Sequence, residues 1–227
     1  MAIPSNVHIS SHPLLQAKLS QLRSSSTSTR ETRNLVHEIA TILGVEAFAS
    51  GWKAAGTGKT DTTPLGESYE TKNIDPANLA LVPILRSGLG MTDADPAMND
   101  LLPSPVPIYH LGIFRERFSL QPVEYYNNLP SPTANNPAAS VAVLLDPVIA
   151  TGATAEAAIH TLREWGVQRV VMLSVLGSES GVQRAASSWA DGVELWIGGV
   201  DAQCNEHGMI VPGLGDIGDR LFVAIGK

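Results

Sequence analysis

From Val141 to Gly166 the chain reads VAVLLDPVIATGATAEAAIHTLREWG, an order of residues that few folds accommodate. The apolar run Val141 to Leu145 fits a strand buried on both faces. Asp146 stands where that strand ends, and a loop rich in threonine and glycine follows. The spacing of Ala155, Ala158, Ile159, Leu162 and Trp165 predicts an amphipathic helix opening at about Thr154, with Gly166 as its C′ glycine. In a parallel α/β sheet, ligands bind where strands deliver their carboxyl ends. A helix N-terminus there offers unpaired N–H groups and partial positive charge to an anion. Thr151 and Thr154 add hydroxyl donors, and Gly152 lets the backbone approach a ligand closely. The segment reads either as a phosphate cradle with a carboxylate beside it or as an ordinary strand–turn–helix with a threonine N-cap.

Two common phosphate loops do not fit. The one Gly-Lys-Thr, at Gly58 to Thr60, has Lys53 where a Walker loop needs glycine, and Gly51 to Thr63 reads as a polar surface loop. After Leu145 a dinucleotide fingerprint would need Gly-x-Gly-x-x-Gly, and the loop carries Gly152 alone.

Elsewhere strand and helix patterns alternate, the mark of a parallel sheet covered on both faces. Strands are expected at Leu79 to Pro83, Val106 to Leu111, Arg169 to Leu176 and Glu194 to Val200. A helix is expected from Leu89 to Pro103 at the latest, and the serines and threonines from Ser24 to Thr32 read as a polar turn capping a helix near Asn34. The run LPSPTANNP, Leu129 to Pro137, reads as an exposed loop. At 227 residues the chain fits one domain. A net charge of −7 argues against a nucleic-acid surface. Cys204 is the one cysteine, so the chain cannot close a disulfide within itself, and it reads as a passive thiol. MAIPSNVHISSHP lacks the basic-then-apolar order of a signal peptide, and no apolar run is long enough to span a membrane, so a cytoplasmic enzyme is expected.

A strand ending in Asp-Pro, then Ala-Thr-Gly-x-Thr before a helix, resembles the ribose-5-phosphate loop of phosphoribosyltransferases. Three further segments narrow the resemblance: LVPILRSGLGM at Leu81 to Met91, GIFRE with PVEYYNNLP within Gly112 to Pro130, and NEHGMIVPGLGDIGDR at Asn205 to Arg220. In this order they look like the uracil phosphoribosyltransferase family, from about Leu79 to the C-terminus, with a weaker likeness over Leu22 to Ala47. The resemblance implies an α/β type I phosphoribosyltransferase fold, a parallel sheet flanked by helices with a small C-terminal hood that binds the base. Within a single domain it implies a helical N-terminal region at about 12–48, a core at about 79–200 and a uracil loop at about 201–220.

The resemblance also assigns roles. Asp146, Pro147, Val148, Ile149, Ala150, Thr151, Gly152, Ala153 and Thr154 would hold phosphoribosyl pyrophosphate, with Asp146 accepting from the ribose hydroxyls. Arg86 and Arg115 match the positions that contact pyrophosphate, and an arginine fork suits that anion. Ile210, Gly215, Asp216 and Ile217 would line the uracil pocket. Asp216 would also face the phosphoribosyl group, and with Arg115 it is assigned a catalytic role. Asp219 and Arg220 look like a structural pair closing the loop, and His207 like a hydrogen-bonded loop histidine. Because Pro147 replaces the second acidic residue of many phosphoribosyltransferases, Mg²⁺ is expected to arrive mainly on the pyrophosphate and its waters, with no dedicated protein metal site. A homo-oligomer, dimer or tetramer, is implied; GTP as an activator is a question the sequence leaves open.

Three departures from the family pattern stand out. Glu116, Arg117, Phe118 and Ser119 occupy a stretch that is usually acidic, Ala153 replaces a common second glycine, and Ile217 replaces a common alanine. If Ala153 needs φ > 0 it is strained; if it is helical, the change is harmless. The expected activity is transfer of ribose 5-phosphate to uracil, giving UMP and pyrophosphate. The alternatives are the same fold acting on another base, or a non-catalytic regulator that senses the nucleotide.

Overall fold

Unbroken burial along the central strands sets the architecture. Residues 3–92, 98–116, 121–135 and 137–223 are described in the structure, a computed structural model; the side chains of Met98, Asp100 and Arg115 lie outside the described set. In chain order the elements are β1 (Val7–Ile9), α1 (Pro13–Arg23), α2 (Thr29–Gly51), β2 (Lys53–Thr62), β3 (Ser68–Asp75), β4 (Leu79–Leu85), β5 (Leu111–Arg115) and β6 (Pro122–Asn127). Then come β7 (Val141–Leu145), β8 (Val148–Ile149), α3 (Ala153–Trp165), β9 (Arg169–Ser174), β10 (Leu176–Ser178) and α4 (Glu179–Ser188). The chain closes with β11 (Val193–Ile197), β12 (Val200–Asp201), β13 (Gln203–Cys204), β14 (Ile210–Val211) and α5 (Ile217–Phe222).

Among the described residues the main sheet runs β1-β11-β9-β7-β4-β5-β6, parallel throughout except that β6 runs antiparallel to β5. Leu81, Val143 and Val171 pair across three strands and face one core, with Leu15, Leu22, Ile39, Leu43 and Leu221 from α1, α2 and α5. Their neighbours Val82, Leu144 and Met172 face the other, with Ala158, Ile159 and Leu162 of α3 and Val182 and Ala185 of α4. A strand apolar at every position is therefore covered by helices on both faces. A smaller parallel sheet, β12-β10-β8, extends the carboxyl edge, and the β13–β14 hairpin with α5 forms the C-terminal hood.

Several boundaries depart from the sequence expectation, each for a physical reason. The segment read as a polar surface loop, Gly51 to Thr63, is mostly β2, paired with β3 in an antiparallel arm that is exposed almost throughout. Neither face of that arm is buried, so it leaves no apolar alternation to read. Where a helix is expected from Leu89, the described residues form 3₁₀ turns at Ser87–Met91 and Met98–Leu101; residues 93–97 of that expected helix lie outside the described set. Gly88 and Gly90 weaken α-helix there, and Gly88 lies so close to Leu145 that a Cβ would overlap its carbonyl. The strand expected at Val106 to Leu111 begins only at Leu111, since Pro107 has no N–H to donate; its carbonyl does accept from Leu81 N at 3.0 Å. Gly198 and Gly199 divide the run from Glu194 to Val200 between β11 and β12. Helix α2 starts at Thr29 rather than near Asn34, because Ser28 and Glu31 form a reciprocal capping box. Gly166 ends α3 at φ 105°, the left-handed conformation its position requires.

Leu144 is wholly buried at the centre of β7, so truncating it tests the face assignment. Leu144→Ala is expected to cost about 2–5 kcal/mol in urea unfolding. A loss below about 1 kcal/mol would contradict the packing described.

Candidate active site

The carboxyl ends of β4 and β7 meet at one cleft, and Asp146 enters it directly from β7. Its side chain is 7% exposed, and Oδ1 accepts a hydrogen bond from the Ser87 hydroxyl at 3.2 Å. Burial pushes the carboxyl from its ordinary 3.8 up to about 7, although the Ser87 hydroxyl and the Val148 N–H both favour the charged form. Beyond Asp146 the chain turns through β8. The Pro147 carbonyl accepts from the N–H groups of Val175 and Leu176, each at 3.0 Å.

The following loop is held by close backbone packing against the first turn of α4. Gly152, at φ 77°, is the N-cap of α3. A Cβ on Gly152 would overlap the Gly181 carbonyl, and one on Gly181 would overlap the Ala150 carbonyl. Ser178 locks this contact: its hydroxyl donates to Ala150 O at 2.5 Å and accepts from Gly181 N at 3.0 Å. The helix therefore opens one residue before Thr154, with glycine rather than threonine at the cap. Ala153 is its first residue; among the described residues Val223 alone has positive φ without being glycine, so Ala153 carries no left-handed strain.

A cleft of about 480 Å³ brings together Arg86, Asp146, Val148, Ile149, Ala150, Thr151, Gly152 and Thr154 on one side with Ile210, Gly215, Asp216 and Ile217 on the other. Pro147 and Ala153 do not line it, being buried behind the loop. Arg86 is exposed, with its guanidinium carbon 5.9 Å from the Phe222 ring centroid, and among the described residues no carboxylate pairs with it. Arg115 ends β5, but its side chain and the departures at Arg117, Phe118 and Ser119 lie outside the described residues.

On the hood side, Asp216 is the N-cap of α5, its Oδ1 accepting from Asp219 N at 3.0 Å. The Ile217 side chain packs into the core with Leu214 and Leu221. The expected Asp219–Arg220 pair is not formed. Arg220 instead donates to three carbonyls: Leu22 at 2.6 Å, Leu214 at 2.7 Å and Ser24 at 3.0 Å. The reason lies in placement, since the C-terminal end of α1 leaves carbonyls unsatisfied beside it. His207 lies on the exposed β13–β14 turn, its backbone N–H bonded to Asn205 Oδ1 at 3.0 Å, and neither it nor Cys204 lines the cleft.

Ser87, Phe114 and Tyr125 also line the cleft and escaped the sequence reading. Phe114 and Tyr125 form a tilted pair 6.0 Å apart on the edge hairpin β5–β6. The legible trace of that pair is Gly112, where a Cβ would overlap the Tyr125 ring. Gly181 and Ser178 were missed too, because the contact they make spans two loops far apart in sequence.

A doubly covered parallel sheet with this loop at its carboxyl edge defines a phosphoribosyltransferase fold. The adenine phosphoribosyl transferase of Trypanosoma brucei shares the fold, with a TM-score of 0.52 at 15% identity over 91% of this chain and 90% of that one. A much closer likeness is to the AQ2163 protein of Aquifex aeolicus, at TM-score 0.83 and 29% identity over 96% of this chain and 98% of that one. The uracil phosphoribosyltransferase family model matches residues 9–224. The uracil phosphoribosyltransferase of Thermoanaerobacter sp. is 38% identical over 225 residues, covering 96% of this chain and 97% of that protein. Schizosaccharomyces pombe urg2, whose name carries a provisional assignment to the same enzyme, is 41% identical over 220 residues, 97% of this chain and 91% of its own length. The chain belongs to the uracil phosphoribosyltransferase family.

The buried carboxyl makes a pH prediction. Because the Asp146 pKa is raised on folding, its neutral form supports the fold fully below about pH 3.8, and that support is lost as pH rises through about 7. Asp146→Asn removes the titration. In urea unfolding of the ligand-free protein, wild type is expected to lose stability relative to the variant between pH 4 and 7, by on the order of 4 kcal/mol, and no further above that. A difference independent of pH would place Asp146 in contact with water.

Proposed function

We propose that this chain transfers ribose 5-phosphate from phosphoribosyl pyrophosphate to uracil. The carrying observation is that the loop at Ala150 to Thr154, Arg86 and the glycine-rich C-terminal loop share one cleft in a member of this family. In the reaction the C1–O bond to pyrophosphate breaks, a bond forms between C1 and N1 of uracil, and the N1 proton is released. Pyrophosphate leaves with the bonding electron pair. The work asked of the protein is positioning and electrostatic stabilisation.

Backbone N–H groups from Ala150 to Thr154, with the Thr151 and Thr154 hydroxyls, are the donors proposed for the 5-phosphate. Asp146 is proposed to accept from the ribose hydroxyls, whose donation favours its ionised form. Arg86 and Arg115 would bind the leaving pyrophosphate, and Asp216 would oppose positive charge growing on the sugar. Backbone groups of Ile210, Gly215 and Ile217 would read the edge of the base. The carboxylates lining the cleft, Asp146 and Asp216, suit a Mg²⁺ that keeps most of its ligands from pyrophosphate and water. When bound, the metal offsets the charge of the leaving group.

A cytoplasmic setting and a homo-oligomeric state belong to the same proposal. Among the described residues no helix is long and apolar enough to cross a membrane. Sedimentation of the purified chain tests self-association, and the activity assay repeated with GTP tests activation.

The direct test is UMP formation from uracil, Mg²⁺ and phosphoribosyl pyrophosphate. Asp146→Asn is expected to lower kcat/KM for phosphoribosyl pyrophosphate at least tenfold, since a hydrogen bond to a charged group is worth about 1.5–3 kcal/mol. An unchanged value removes Asp146 from the site.

Base selection supplies another measurement. Cytosine presents a donor where uracil has O4 and an acceptor where uracil has N3–H. A backbone edge built for uracil should reject it by about 10⁴-fold. Comparable kcat/KM for the two bases would refute the assignment of Ile210, Gly215 and Ile217. Arg86→Ala should weaken phosphoribosyl pyrophosphate more than UMP, as measured by equilibrium binding of each. Equal losses would assign Arg86 to the 5-phosphate or the fold.

A further inference from the structure

The glycine-rich loop that faces the cleft is held by groups that do not line it. Gly213 sits at φ 62°, turned so tightly that a Cβ would overlap the Ile210 carbonyl. Both of its backbone hydrogen-bonding groups go to one ion pair. Gly213 N donates to Asp201 Oδ2 at 2.9 Å, and Gly213 O accepts from Arg23 Nη1 at 2.8 Å. Arg23 in turn grips Asp201 as a fork, Nη1 to Oδ2 at 2.8 Å and Nη2 to Oδ1 at 2.7 Å.

Asp201 is 9% exposed and closes β12, while Arg23 is the last residue of α1, so the pair ties two ends of the chain together. The Arg23 guanidinium holds the Asp201 carboxyl below the usual carboxylate range, so the pair stays charged at neutral pH. Leu214, the next residue, gives its carbonyl to Arg220, which also takes the carbonyls of Leu22 and Ser24 at the end of α1.

Fixing the N–H and C=O of one residue fixes the peptide planes on both sides of it. Gly215 and Ile217 follow within four residues, and neither has a side chain that could pair with a base. Selection among bases by such a backbone depends on where its amides point. An ion pair this partly enclosed, with side chains 28% and 9% exposed, adds little net stability, but its fork demands one geometry.

We infer that Arg23 and Asp201 are positioning residues for base selection, holding the backbone from Gly213 to Ile217 in the orientation that reads the base. The inference rests on the proposed role of that loop. It places a determinant of specificity on the N-terminal helix, outside the cleft.

The conservative variants Arg23→Lys and Asp201→Asn test it, since each keeps part of the network. A lysine ammonium keeps the charge but lacks the planar fork that reaches Asp201 and Gly213 together. Asparagine keeps an acceptor for Gly213 N–H and loses the charge. In both, KM for uracil is expected to rise at least fivefold with KM for phosphoribosyl pyrophosphate changed less than twofold. The uracil-to-cytosine ratio of kcat/KM should fall at least fivefold. Amide exchange from Gly213 to Ile217 should quicken while exchange in β7 does not.

If both KM values rise together, or if exchange quickens while KM for uracil and the base ratio stay as in wild type, the pair is structural and the inference fails. Exchange that remains slow at Gly213 to Ile217 also overturns it. A wild type that does not turn over uracil refutes the proposed activity instead. The base it does accept then replaces uracil in the same comparison, and the exchange measurement stands unchanged.

Discussion

Complete burial of β7 is the constraint from which the site follows. A strand flanked by β4 and β9 and covered on both faces can reach solvent only beyond its ends, and the cleft lies past the carboxyl one. The first residue past that end, Asp146, inherits the burial and is left with few partners that favour its charge. A carboxyl poised this way responds strongly to any ligand that brings donors or a cation, because the low-dielectric surroundings that raise its pKa also strengthen each new interaction. The same strand end leaves no room for side chains around it, which is why Gly88 lies against Leu145 and why Gly152 and Gly181 interlock behind the loop.

Legibility in the sequence followed the period of burial. The β7 segment and α3 were readable to within a residue, since a continuous apolar run followed by apolar groups at helical spacing fits little besides a buried strand feeding an amphipathic helix. The β2–β3 arm was not readable, because exposure on both faces erases alternation. From Leu89 onward the sequence suggests a helix, but tertiary contact decides otherwise at Ser87 to Met91: the backbone of Gly88 has to fit under Leu145.

Within the cleft, residues that share a motif are legible together: Asp146, Val148 to Gly152 and Thr154 from one, Ile210 and Gly215 to Ile217 from the other. Residues that reach the cleft from an edge hairpin, such as Tyr125, left no trace beyond the small residue that accommodates them. The expected Asp219–Arg220 pair shows how sequence adjacency misleads. An arginine beside an aspartate in sequence suggests an ion pair, while the fold offers it three carbonyls, at the end of α1 and in the loop.

The two sides of the cleft differ in how their geometry is secured. The side formed by Ala150 to Thr154, proposed to take the 5-phosphate, is held by contacts among β7, β8, β10, α3 and α4, all within about fifty residues of chain. The hood side is held by bonds between residues 178 to 198 apart in sequence, Arg23 to Asp201, Arg23 to Gly213 and Arg220 to Leu22. Closing so long a loop costs entropy that only a nearly complete fold can offset, so the hood geometry depends on the whole molecule being assembled. A phosphate loop can be a local property of one strand–loop–helix unit. On the roles proposed above, the base-reading edge is global, set where the first helix and the last loop of the chain meet, and discrimination between bases would be more sensitive than phosphate binding to changes far from the cleft.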